Sequence, residues 1–290
     1  MNGKNKKVIL TCALTGVLTD PKVHHVPVTP NEMAQAALDA HNAGASVVHC
    51  HFRRQEPGKG AFPTWEVSVV NEICQAIRDR VPGIILNMST GVIGADISGP
   101  LACLSQIKPE IAALNSGSLN YLKTKKDGTW AWPPMLFDNP VEKIQAYLNV
   151  MKENNIRPEC ECFDTGIVRS ISMFKSTGML DDPLNVSLVM GVNSGMPSKP
   201  SWLPLLLEEI PLGAQWQVIG IGQQEVWPLY RRACELGGNL RTGVEDTFYL
   251  PSGERTSSNG ALMQELARVV HDCGREVASI SEARQIYGLK

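Results

Sequence analysis

No apolar run in the 290-residue chain approaches the roughly 20 residues that span a bilayer, so no membrane helix is expected. Basic blocks are missing too. Lys and Arg number 27 against 29 Asp and Glu, a formal net charge of -2, which argues against nucleic acid and anionic membrane as partners. Charged residues are sparse at 19%, below the usual value of about a quarter, while 43% of the chain is hydrophobic, so much of it must be buried. A recognisable leader is lacking: the start MNGKNKK is polar and basic, and VILTCALTG behind it is too short for a signal core. The eight cysteines, Cys12, Cys50, Cys74, Cys103, Cys160, Cys162, Cys234 and Cys273, sit in apolar segments and form no spaced loop framework. Reduced core thiols in a cytoplasmic protein are therefore expected. Cys160 and Cys162 share one strand face, which should turn toward a helix shell. With no low-complexity linker and no composition break, residues 1–290 read as one domain.

What is present is an alternation of strand and helix. Short, mostly apolar segments at 8–16, 46–53, 83–90, 111–117, 157–164, 185–191, 215–222 and 239–246 have the character of parallel strands covered on both faces. Helical patterns fill 30–43, 63–81, 94–107, 140–155, 166–178, 198–210, 225–236 and 258–273, with a short helix at 281–288. Thr29-Pro30-Asn31-Glu32 is a capping box with proline at the first helical position, and Ser281-Glu282 opens the last helix in a similar way. Eight such units predict a closed (β/α)8 barrel, a TIM barrel. An open dinucleotide fold would need GxGxxG after the first strand, where the chain has CALTGVLTD; Gly220-Ile221-Gly222 comes late and reads better as close backbone approach to a ligand.

In this fold chemistry collects at the C-terminal ends of the strands. His49 and His51, two apart on one strand, project from the same face, while Cys50 points the other way. An isolated strand histidine is more often a hydrogen-bonded core residue. Two imidazoles buried together at a strand tail are costly without a purpose, and suit zinc or another divalent transition metal. The third ligand should be a carboxylate, from Glu159, Glu161, Glu245 or Asp246; Glu245 shares inward parity with Arg241 and Gly243 if its strand stays regular. Arg241 beside a carboxylate would keep it ionised, as base or clamp.

The segments HCHFR, NMSTG, LNSGSLN, PECECFDTG, GGNLRTGVED and SSNGAL, in this order, resemble the β-keto acid cleavage enzymes, typified by the 3-keto-5-aminohexanoate cleavage enzyme. The resemblance runs from about residue 8 to the C-terminus. It implies a homotetrameric TIM barrel with one zinc or similar ion per subunit. It also implies condensation of a β-keto acid with acetyl-CoA as co-substrate, giving acetoacetate and a new acyl-CoA. It assigns His49, His51 and Glu245 to the metal, Asp246 to acid/base catalysis, Arg241 to positioning Asp246, and Ser89 and Ser118 to substrate, with Glu161 at an acidic position near the metal. Thr90 and Asn115 add groups able to bind carboxylate or enolate oxygens. Ser257-Ser258-Asn259, opening a helix, offers amides to a CoA phosphate or simply a cap. One departure stands out: members acting on the amino substrate carry an acid soon after the first-strand glycine. Here Gly16 is followed by Val17-Leu18-Thr19, with acid only at Asp20, which implies a neutral or apolar acyl tail; His24 and His25 could instead meet an anionic one. Three rivals share parts of this pattern. A lyase without CoA would use the same enolate logic. A barrel hydrolase would want more histidines than the six here, on later strands. A binding barrel would not need the polar strand tails.

Overall fold

The computed structural model describes residues 7–289; Met1–Lys6, most of the polar start, and Lys290 lie outside the described residues. Eight parallel strands close into a barrel: β1 Leu10–Ala13, β2 Val47–Cys50, β3 Ile85–Met88, β4 Ile111–Asn115, β5 Arg157–Cys162, β6 Asn185–Met190, β7 Gln215–Gly220 and β8 Asn239–Thr242. Each neighbours the next in chain order, and β8 returns to β1. All eight expected strands are present, trimmed mainly at their C-terminal ends, where the polar tails leave the ladder to form the mouth.

Helices α1 Pro30–Asn42, α2 Val67–Arg80, α3 Ser98–Ile107, α4 Val141–Glu153, α5 Thr165–Ser176, α6 Leu203–Glu209, α7 Trp227–Glu235 and α8 Asn259–Asp272 follow β1 to β8 in turn. The Thr29–Glu32 capping box forms as expected. The last helix, α9 Ile280–Tyr287, opens on Ser279 and not on Ser281: the Ser279 hydroxyl accepts from Glu282 N, and the Glu282 carboxylate accepts from Ser279 N. The expected alternation missed an antiparallel hairpin, Leu119–Tyr121 with Met135–Phe137, inserted between β4 and α4.

The strands alternate more than their composition suggests. Outward residues such as Leu10, Val48, Leu86, Leu114, Cys160, Cys162, Leu188 and Val218 form one apolar layer with the helices. That layer holds both thiols of the Cys160–Cys162 pair, and all eight cysteines are free. Inward positions are largely polar: Thr11, His49, Asn87, Glu159, Ser187, Gln217, Asn239 and Arg241 are all buried. The bottom of the interior is apolar, where Ile9, Val47, Ile85 and Ile111 meet Ala278 and, from α9, Ala283 and Tyr287, and Val189 and Ile219 add apolar inward positions near the mouth. Gly220 and Gly222 lie close to the helix that follows: a Cβ at Gly220 would lie 2.9 Å from Val226, and one at Gly222 would lie 2.5 Å from Glu225. Among the described residues no helix is long and apolar enough to cross a membrane.

Candidate metal centre and active site

The side chains at the barrel mouth converge because β2 and β8 both end there. His49 and His51 project from β2 and its tail with ring centroids 5.3 Å apart. Their carboxylate partner arrives by a turn and not by strand parity. β8 stops at Thr242, and the chain then turns through Gly243–Asp246, closed by Asp246 N donating to Gly243 O at 2.9 Å. Gly243 permits this because its backbone lies against β1: a Cβ there would stand 2.1 Å from Ala13 O. Asn259, the first residue of α8, clamps the turn, accepting from Val244 N at 3.0 Å and donating to Leu14 O at 2.9 Å. Ser258 beside it caps α8 by accepting from Ala261 N, so these residues are occupied by structure and the capping reading of this stretch holds. Gly16 has a positive φ of 58°, and its bare Cα leaves room for Glu245, whose Cγ would be 2.9 Å from a Cβ.

Glu245 Oε1 then lies 3.6 Å from His49 Nε2 and 3.3 Å from His51 Nε2. One ligand atom from each of the three residues falls within 4.8 Å of the others, the only such group of three or more among the described residues. The donors suit a divalent ion. Burial, with Arg241 close by, holds His49 well below the usual histidine range, so its imidazole is neutral and has a lone pair to give. Burial opposes ionisation of Glu245, but His51 and Arg241 outweigh it and hold the carboxyl well below its usual range. Its second oxygen, Oε2, is buried without a hydrogen-bond partner, a costly vacancy unless something positive meets it.

Arg241 organises the acids. Its Nε and Nη2 donate to the two oxygens of Asp246, each at 3.1 Å; Nη2 also donates to Glu245 at 2.8 Å, and Nη1 to Glu161 at 3.1 Å. One buried cation thus faces three carboxylates, so it cannot hold all of them equally ionised. Burial lifts Asp246 to about 7 against the pull of Arg241, with Glu245 adding to the rise. Burial likewise lifts Glu161 to about 8. Arg241 itself loses to burial but gains more from Asp246, Glu245 and Glu161, and stays charged.

These groups floor a cavity of about 240 Å³, small for a ligand site, that opens at the mouth. Ser89, Asn115, Glu161, Arg241, Glu245, Asp246 and both histidines line it. Two expected substrate residues do not. The Thr90 hydroxyl turns away to donate to Ala113 O at 2.6 Å, and the exposed Ser118 accepts from Asn139 N at 2.8 Å, ahead of α4. Each hydroxyl is taken up by a nearby backbone group. His24 stacks on Phe248 with centroids 4.3 Å apart, and neither it nor His25 lines the cavity. Sequence reasoning gave Arg53 no role, although it closes the HCHFR motif. It is buried and donates to oxygens of Thr15, Gly16, Thr19 and Gly60, pinning the loop after β1 over the site. The hairpin wall, Tyr121 and Met135 to Phe137, was also missed; Asp127-Gly128 at its tip is the turn signal that marks it.

A sequence profile of beta-keto acid cleavage enzymes matches residues 7–289. The 3-keto-5-aminohexanoate cleavage enzyme of Fusobacterium nucleatum is 31% identical over 288 residues, covering 98% of this chain and 99% of that protein. The 3-oxoadipate:acetyl-CoA acetyltransferase of Cupriavidus necator is also 31% identical, over 97% of this chain and 94% of that one. Among solved structures, the apo structure of ObcA superposes with a TM-score of 0.73 at 19% identity, over 91% of this chain and 65% of that chain, a likeness of fold. The match from first strand to last helix, in sequence as in barrel architecture, makes this chain a member of the beta-keto acid cleavage enzyme family.

Proposed function

We propose that the protein joins a β-keto acid to acetyl-CoA and releases acetoacetate and the CoA ester of the remaining acyl group, with His49, His51 and Glu245 holding zinc or another divalent transition metal. The observation that carries the reading is the approach of two imidazoles and one carboxylate beside a buried Arg–Asp pair on the floor of a single cavity. The names of the relatives support the acetyl-CoA half: one is a 3-oxoadipate:acetyl-CoA acetyltransferase, another a 3-dehydrocarnitine:acetyl-CoA trimethylamine transferase.

Bound there, the ion would polarise the substrate ketone and lower the energy of the neighbouring enolate. Asp246, held through both oxygens by Arg241, takes the proton from the carbon between the two carbonyls. Its pKa near 7 leaves it substantially ionised at neutral pH yet basic enough to accept a proton. The carbanion attacks the acetyl thioester and expels the CoA thiolate, the thiolate attacks the original keto carbon, and the old carbon–carbon bond breaks as the released carbon takes back the proton from Asp246 to give acetoacetate. Glu161, pushed up to about 8, is mostly protonated at neutral pH and donates its proton in a hydrogen bond to a substrate oxygen, while Ser89 and Asn115 bind the substrate carboxylate. By the same resemblance the protein works as a homotetramer, and the placing of its cysteines in apolar segments favours the cytoplasm. Exposed Met173, Leu205 and Leu212, on and after α5 and α6, support a covered surface, and eight free thiols support a reducing compartment.

The test follows acetoacetate formed from a β-keto acid and acetyl-CoA before chelation, after it, and after zinc is returned. Chelation is expected to cost at least about 100-fold, restored by zinc. Full activity in metal-free protein removes the metal, and consumption of the keto acid without acetyl-CoA removes the acyl transfer.

A further inference from the structure

We propose that the upper cavity is the seat of the substrate's acyl tail, and that it selects β-keto acids whose tail is uncharged and apolar. This rests on the acyl-transfer reading above and adds to it the substrate class.

The first observation is where charge is absent. Among the side chains lining the cavity, the acids, the guanidinium and the imidazoles are His49, His51, Glu161, Arg241, Glu245 and Asp246. All six belong to the connected cluster on the floor: Arg241 binds the three carboxylates, and the imidazoles meet Glu245. Above it the walls are neutral and mostly apolar, including Val17, Tyr121, Met135, Phe137, Phe163 and Val192. Three groups in and beside the loop after β1 are engaged elsewhere. Arg53 is turned beneath the loop after β1, His24 is stacked on Phe248 beside Arg255, and Asp20 accepts from Lys22 N. A tail bearing an ammonium or a carboxylate would shed its water here and find no partner of opposite sign, which is costly.

The second observation is independent of the first. Three large apolar side chains stand open at the rim of this cavity: Leu18 at 75% exposure, Ile93 at 70% and Leu136 at 51%. They come from three different segments, the loop after β1, the loop after β3 and the hairpin. A single exposed leucine is ordinary; three converging on one opening form an apolar collar that an apolar guest would cover.

The test uses three acids with the same six carbons and different tails, each with acetyl-CoA and the zinc-loaded enzyme: 3-oxohexanoate, 3-oxo-5-aminohexanoate and 3-oxoadipate. The neutral acid is expected to exceed each charged one in kcat/KM by about 100-fold, since an unpaired polar group weighs more than a missing methylene. The exposed rim also allows substitutions that leave packing alone. Ile93→Lys should narrow the ratio of 3-oxohexanoate to 3-oxoadipate about tenfold, and Leu136→Asp should do so for 3-oxo-5-aminohexanoate. A charged acid used as well as the neutral one overturns the inference and leaves acyl transfer standing. So does a pair of variants that change only the KM for acetyl-CoA, which would assign the collar to CoA. Acetoacetate from none of the three acids overturns the acyl-transfer reading and this inference with it.

Discussion

At the bottom of the barrel Ile9, Val47, Ile85 and Ile111 close on Ala278, Ala283 and Tyr287, while at the mouth one guanidinium faces three carboxylates beside two imidazoles. The same eight strands build both ends. The lower end buries apolar surface and asks nothing of a ligand, so it contributes stability. The upper end buries charges, and at Asp246 and Glu161 the pull of Arg241 only partly offsets the effect of burial; it also keeps Oε2 of Glu245 without a partner. A middle layer joins them through side-chain hydrogen bonds: Thr11 to Gln217 at 3.2 Å, Gln217 to Ser187 at 2.9 Å, and Asn87 to Glu159 at 2.8 Å. The contrast teaches that the fold is held from below and the chemistry is prepared above, at a cost in stability.

The sharpest way to break this contrast is Asp246→Asn, which keeps the shape but removes the base and one charge. Activity, read as kcat/KM for acetoacetate release, should fall by about 1,000-fold or more, with the thermal midpoint unchanged or higher. A variant that keeps a tenth of the activity would deny Asp246 its role. Tyr287→Ala should do the converse. Removing a large buried ring from the bottom layer lowers the unfolding free energy by about 3–5 kcal/mol, measured by denaturant titration, while kcat/KM at a temperature where the variant is folded stays within about twofold. Loss of activity without loss of stability would mean that the two ends are coupled through the barrel.

The smallest effect is expected in the middle layer, and it depends on pH. Burial raises the Glu159 carboxyl above its ordinary range, against the pull of Arg241. The folded state therefore binds the proton more tightly than the unfolded chain. The stability this adds is complete below the unfolded value near 4.3 and is lost as pH rises through the folded value. Glu159→Gln carries no such titration. At pH 8 it should be more stable than the wild type by about 1 kcal/mol, and at pH 4 the gain should vanish. Equal urea midpoints at both pH values would show that burial does not govern this carboxyl.

Much of this was legible in the chain. The eight strands could be read because their outward residues, such as Val48, Leu86 and Val218, must be apolar to meet the helices. The imidazole pair could be read because a period of two puts His49 and His51 on one face. The expected parity of Glu245 with Arg241 gave a convergence that the structure reaches by another route, since β8 ends at Thr242 and a turn at Gly243 delivers Glu245 and Asp246 together. Thr90 and Ser118 carry suitable chemistry in suitable segments, yet their hydroxyls serve nearby backbone groups. Local spacing cannot distinguish a hydroxyl facing a cavity from one bonded to a carbonyl behind it.

By itself, then, the sequence determined the repeating unit, the inward face of each histidine, the reduced state expected of the thiols and the family to which the chain belongs. These follow from periodicity and local composition, which act over a few residues. Tertiary structure alone decided that residues nearly 200 positions apart would share one cage. It also decided that a single guanidinium would bind three acids, and that a hairpin and two loops would ring the opening with apolar side chains. Those outcomes depend on closing the ring of strands, because burial and charge separation exist only once distant segments exclude water from the same space.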